Sequence, residues 1–197
     1  MRKAEIIIIA LCIVSVILNF MLVPGGVLFT LITLLALSTL YFYLGFALFN
    51  GIRLRKIFKK ESYAGINALR IVGCIGTGMA LSLLVIGLLF KLLAWPGSFI
   101  NLLAGLFFVT VVLIISIIKF IMTKSSFYKL IIIRCAIFFI IGFIFINLRP
   151  YAIMDYKYKD FPAYLKAFKA HEADPMNPEL QQKLEEERIK MEKLQDS

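Results

Sequence analysis

Charge is what this sequence has least of, and most ready-made chemistry is missing with it. Only 17% of the residues are Asp, Glu, Lys or Arg, and there is a single histidine, His171. His171 stands next to Glu172 and near Asp174, with no second ligand pair at useful spacing, so no metal site is expected. No G-x-S-x-G, C-x-x-C, H-E-x-x-H or Walker sequence occurs, so no cofactor and no enzymatic activity are expected. Cys12, Cys74 and Cys135 all lie within apolar runs. They exclude a disulfide framework of the secreted kind and read as small hydrophobes. No acidic residue is expected inside a membrane span, Glu5 standing at the edge of the first. That speaks against a transporter or channel that moves ions through a site able to change charge at membrane depth.

What the chain does have is apolar length. Hydrophobic residues make up 61% of it, 18 of them Phe, more than one core of a 197-residue soluble domain could hide. Runs near 6–22, 27–49, 71–93, 99–122 and 130–148 are each long enough to cross a hydrocarbon core of about 30 Å. Period-2 alternation is absent, so the runs predict helices rather than barrel strands. The start, Met1-Arg2-Lys3 before an apolar run, reads as a retained first helix rather than a signal, because Val23-Pro24-Gly25-Gly26 leads straight into the next span.

The net charge of +10 is distributed as a membrane protein distributes it. Twelve of the 22 basic residues fall in three places: Arg2 and Lys3; the loop carrying Arg53, Arg55, Lys56, Lys59, Lys60 and Arg70; and the loop carrying Lys119, Lys124, Lys129 and Arg134. Successive spans put all three on one side, while the Val23–Gly26 and Lys91–Ser98 turns carry almost no charge. This positive-inside asymmetry predicts a cytoplasmic N-terminus, and for a bacterial inner membrane the opposite face is the periplasm. Anionic headgroups, not nucleic acid, are the expected partners of the cations. Five spans then deliver the near-neutral tail, 150–197, to the periplasm.

Spans one and two form a hairpin around Pro24 and Gly25, and spans three and four form another around Trp95, Pro96 and Gly97. Placing Pro24 on Pro96 aligns Gly25 with Gly97, Leu34 with Leu106 and Ser38 with Thr110, which predicts an internal duplication. In the third span Cys74, Gly78 and Ser82 share one face, with Gly73, Gly76 and Ala80 nearby. Small residues at this spacing let helix backbones approach closely in lipid, so this helix is expected to be the central packing helix. Lys91 is the one interior-leaning charge of spans one to four and the candidate functional charge; four residues from Trp95, it can also snorkel to the boundary.

In the tail, Asp160 is the expected N-cap of a short helix starting near Pro162, with Phe161, Tyr164, Leu165 and Phe168 on one face. That face is expected either on the membrane–water boundary or against a partner. Asn177 and Pro178 open a last helix whose Leu180, Leu184, Met191 and Leu194 follow a heptad-like spacing interrupted by Glu187.

The segment Phe90-Lys91-Leu92-Leu93-Ala94-Trp95-Pro96-Gly97-Ser98, with Leu102, Gly105 and Leu106 after it, resembles the transmembrane hairpin of the GldL family of Bacteroidota. The resemblance covers about residues 85–115, with a fainter echo at 15–45. It implies a membrane subunit of the gliding and type IX secretion motor. The family's membrane-embedded Glu corresponds here to Val109, which cannot carry a proton, and five spans replace the family's two. The combined expectation is an all-α five-helix membrane protein. It would act as a non-enzymatic accessory or scaffold subunit of an envelope complex, binding membrane and periplasmic proteins. An ion-motive-force-coupled motor subunit or a small transporter or channel is the alternative.

Overall fold

The computed structural model describes residues 1–195, so the last two residues of the expected 150–197 tail lie outside the described residues. Among the described residues there is no strand. The helices are α1 (Arg2–Phe20), α2 (Gly26–Phe49), α3 (Ala68–Leu92), α4 (Ser98–Thr123), α5 (Ser126–Asn147), α6 (Ala152–Lys157), α7 (Pro162–Ala173) and α8 (Pro178–Gln195). The first five are long and apolar enough to cross a membrane. At 1.5 Å per residue they measure about 28–39 Å, matching a hydrocarbon core of about 30 Å with room for tilt. The protein is an all-α, multi-pass membrane protein.

The chain divides into two compact units, Met1–Leu148 and a second that begins at Arg149. Within the first, α3 packs against α2, α4 and α5. It buries 56% of its most apolar stretch inside the bundle, against 17% for α5, so α3 is the central helix. Close approach makes this possible. A Cβ on Gly78 would run into the backbone carbonyl of Tyr41, and one on Gly105 would stand 2.6 Å from the Leu84 Cα.

The two hairpins repeat each other at an offset of 72 residues. Leu22 and Ala94 both take positive φ (57° and 54°), as do Gly25 and Gly97 (79° each). In one turn Val23 N–H donates to the Leu18 carbonyl; in the other Trp95 N–H donates to that of Phe90. These bonds satisfy the orphan carbonyls at the ends of α1 and α3. The crossing points correspond too. Thr30 sits on Ser15 in the first hairpin, and Leu102 sits on Gly87 in the second.

In the second unit α7 packs on α8. Tyr158 packs at a tilt against Tyr164, 4.8 Å between ring centroids, Tyr151 meets Phe168 edge-on at 5.9 Å, and Ala167 and Met191 are buried. Asp155 and Lys169 form an ion pair of 2.6 Å. Burial raises the Tyr158 hydroxyl above its ordinary range.

Candidate functional site

The sequence pattern assigns no acidic residue to the spans, and the structure corrects this. Glu5 lies within α1, one turn from its start, and is 4% exposed. Arg134 lies well inside α5 rather than in the preceding loop. The two meet across 129 residues of sequence in a forked pair. Arg134 Nε donates to Glu5 Oε1 and Nη2 to Oε2, each at 2.9 Å. The Tyr41 hydroxyl of α2 donates to the same Oε1 at 3.0 Å. Around them the guanidinium carbon sits 5.6 Å from the Phe49 ring centroid, and Phe138 packs edge-on against Tyr41 at 5.5 Å. Arg134 and Tyr41 are each about 12 Å from the nearer end of their helices. The cluster therefore belongs to the end of the bundle that carries the basic loops, below its surface.

Chemically, three donors converge on one carboxylate, and the planar fork fixes both oxygens. Such a group is aligned, with both of its oxygens engaged. It fastens the first, second and fifth helices to one another. A second clamp lies at the opposite end, where Lys91 Nζ donates to the Leu148 carbonyl at 3.0 Å. The Leu148 carbonyl lies just beyond the C-terminus of α5, where a cation is favoured. Lys91, expected as a functional charge or a snorkelling anchor, is thus tied to the backbone of α5.

Several other interior polar groups also join helix to helix, while Thr77 bonds back to the Gly73 carbonyl of its own helix. Ser15 and Thr33 hydroxyls lie 2.8 Å apart across α1 and α2, and Ser38 and Ser82 lie 2.8 Å apart across α2 and α3. Asn50 Nδ2 donates to the Phe46 carbonyl at 2.7 Å and to Cys74 Sγ at 3.3 Å. Arg70 of α3 stacks on Phe127 of α5, its guanidinium carbon 3.7 Å from the ring centroid. Val109 is completely buried against its neighbours.

The small residues of α3 divide between two faces. Cys74, Gly78, Ala80 and Ser82 are buried, Gly78 and Ser82 against α2. Gly73 and Gly76 are instead exposed, and a Cβ added at either would meet nothing within 4 Å. They stand on the other side of the helix from Cys74, Gly78 and Ser82, which the four-residue repeat keeps on the face packed against α2. The turn residues Pro24, Gly25, Pro96 and Gly97 lie where the hairpins reverse. Trp95 is 40% exposed there and packs edge-on with Phe90 at 5.2 Å.

In the second unit, Phe161 rather than Asp160 occupies the N-cap of α7, and no side chain caps that helix. Asn177 caps α8, its Oδ1 accepting from Glu179 N–H at 3.0 Å. Tyr164 and Phe168 are half-buried, and Met191 is buried. Leu180 and Leu184 are half-buried, while Leu194 is 67% exposed. The heptad-like residues thus do not form one continuous buried seam. Glu187 turns aside to pair with Lys190 at 2.7 Å. No group of three or more His, Cys, Asp or Glu able to hold a metal occurs among the described residues. Set against known proteins, the chain matches no family model, no curated protein and no solved structure.

Proposed function

We propose that the protein is a non-enzymatic accessory or scaffold subunit of a bacterial inner-membrane envelope complex, with its N-terminus cytoplasmic and its C-terminal unit periplasmic. One observation carries this reading: the charged groups Glu5, Arg134 and Lys91 and a set of buried hydroxyls bond one helix of the bundle to another. Glu5 is taken by Arg134 and Tyr41, Lys91 by the Leu148 carbonyl, and Ser15 and Ser38 by Thr33 and Ser82. A body fastened in this way is a rigid support, and its outer surfaces are left for partners. The GldL-like hairpin of residues 85–115 is in keeping with such a setting.

Gentle solubilisation of native membranes tests it. The 22.4 kDa chain should migrate as part of an assembly several times its mass, with stoichiometric companions, and a stable monomer refutes the reading. A second reading, an ion-coupled motor subunit, draws support from the Glu5 cluster, which places a titratable carboxylate inside the spans. It requires Glu5→Gln to abolish ion-driven activity in cells while the assembly survives. Loss of the assembly along with the activity assigns Glu5 to the scaffold.

A further inference from the structure

At the basic end of the bundle, α2 and α3 lie side by side, and helices in contact are about 8–10 Å apart. Residues 50–67 nevertheless join them, although residues 21–25 suffice between α1 and α2. The long loop has local structure of its own. It contains two short 3-10 turns, Leu54–Lys56 and Lys60–Tyr63. Ile52 is buried. Tyr63 stacks on Phe46 of α2 at 6.1 Å, and its hydroxyl donates to the Ile57 carbonyl at 2.7 Å. This inner fastening holds the next residue, Phe58, outward and 99% exposed. Flanking Phe58 in the chain are Arg53, Arg55, Lys56, Lys59 and Lys60, all exposed, against the single carboxylate Glu61 that follows them.

We propose that this loop is a binding site for anionic phospholipid headgroups, with Phe58 inserted among the acyl chains of the leaflet next to it. A fully exposed Phe beside water is unfavourable, yet the loop is built to present it. Five cations around an apolar wedge complement a surface that is negative outside and apolar beneath, and neither signal alone anchors as well as the two together. Nucleic acid would suit the cations, but it offers a fully exposed phenyl ring no apolar layer, whereas acyl chains beneath the headgroups do.

The test uses the full chain carrying Phe58→Trp and Trp95→Phe, reconstituted in nanodiscs. In phosphatidylglycerol-containing discs the introduced indole should emit at shorter wavelength and be quenched by brominated acyl chains. In pure phosphatidylcholine, or after changing the five cations to Gln, it should become accessible to aqueous iodide. Each charge neutralised should lower the preference for anionic discs about fivefold. If Trp95→Phe disturbs folding, difference spectra against the parent carrying Trp95 give the same readout. An indole equally buried in both lipids, or water-exposed in both, overturns the proposal. So does one that shifts only when RNA or an acidic protein is added.

Discussion

Replacing Glu5 by Gln leaves the Arg134 guanidinium without its counter-charge, in a place where water is scarce. The Glu5 side chain is 5% exposed and that of Arg134 17% exposed. Breaking a buried pair from one side typically costs about 3–5 kcal/mol. A cation stranded within a spanning helix costs about 2.5–3.5 kcal/mol on an insertion scale. Arg134 lies only part-way down its helix and can bend toward the headgroups, so about 3 kcal/mol is the expected loss. Arg134→Met, which strands the carboxylate, should cost a similar amount. The double variant removes both charges and should cost only about 1–2 kcal/mol against about 6 for the two single losses together, a coupling of about 4–5 kcal/mol. The assay is provided by the protein itself. Cys12, Cys74 and Cys135 are buried free thiols, so a thiol-reactive fluorophore reports unfolding in mild detergent as they come into the open. A loss of 3 kcal/mol corresponds to a midpoint lowered by roughly 6–12 °C. The coupling should also survive a change from 0.1 to 1 M salt, because screening acts weakly on a desolvated pair. Additive single and double variants, or a coupling that vanishes in salt, refute the clasp.

Two further outcomes follow from packing and titration. Gly78→Ala drives a Cβ into the Tyr41 carbonyl and should destabilise the bundle by about 1–3 kcal/mol, whereas Gly73→Ala, with open space around it, should change the same melting midpoint little; equal effects would contradict the assigned face. Burial lowers the Lys157 amine to about 8, so the charged form is disfavoured on folding; stability of the second unit should be flat below pH 8 and rise between about 8 and 10.5, and a methylated-lysine NMR titration should place the Lys157 midpoint near 8 rather than near 10.5.

The spans and turns were legible because each rests on local chemistry. Twenty apolar residues suit a bilayer wherever they occur, and Pro24-Gly25 or Pro96-Gly97 reverses a chain by backbone preference alone. The central place of α3 was readable in the same way, from Cys74, Gly78 and Ser82 at four-residue intervals. What escaped was the Glu5–Arg134 pair. Glu5 stands beside Arg2 and Lys3, and Arg134 follows Lys129, so each reads locally as the fringe of a basic loop. Their partnership depends on the tertiary path of all five helices. One signal was present: Arg134 has Ile131-Ile132-Ile133 before it and Cys135-Ala136-Ile137 after it, a charge enclosed by apolar neighbours. Gly73 and Gly76 show the converse error. Composition marks them as packing residues, but only the helical angle decides which of them meets a neighbour.

The clasp between the first and fifth helices also sets a timetable for biogenesis. Glu5 leaves the ribosome 129 residues ahead of Arg134, and at about 5–20 residues per second that is a delay of roughly 6–26 s. Throughout that interval the nascent chain carries the Glu5 carboxyl within α1 without the Arg134 guanidinium that holds it in the folded bundle. Until then the carboxyl must find other polar company, such as the headgroup region or a polar groove of the insertion machinery. Final closure of the bundle waits until the last segment enters the bilayer.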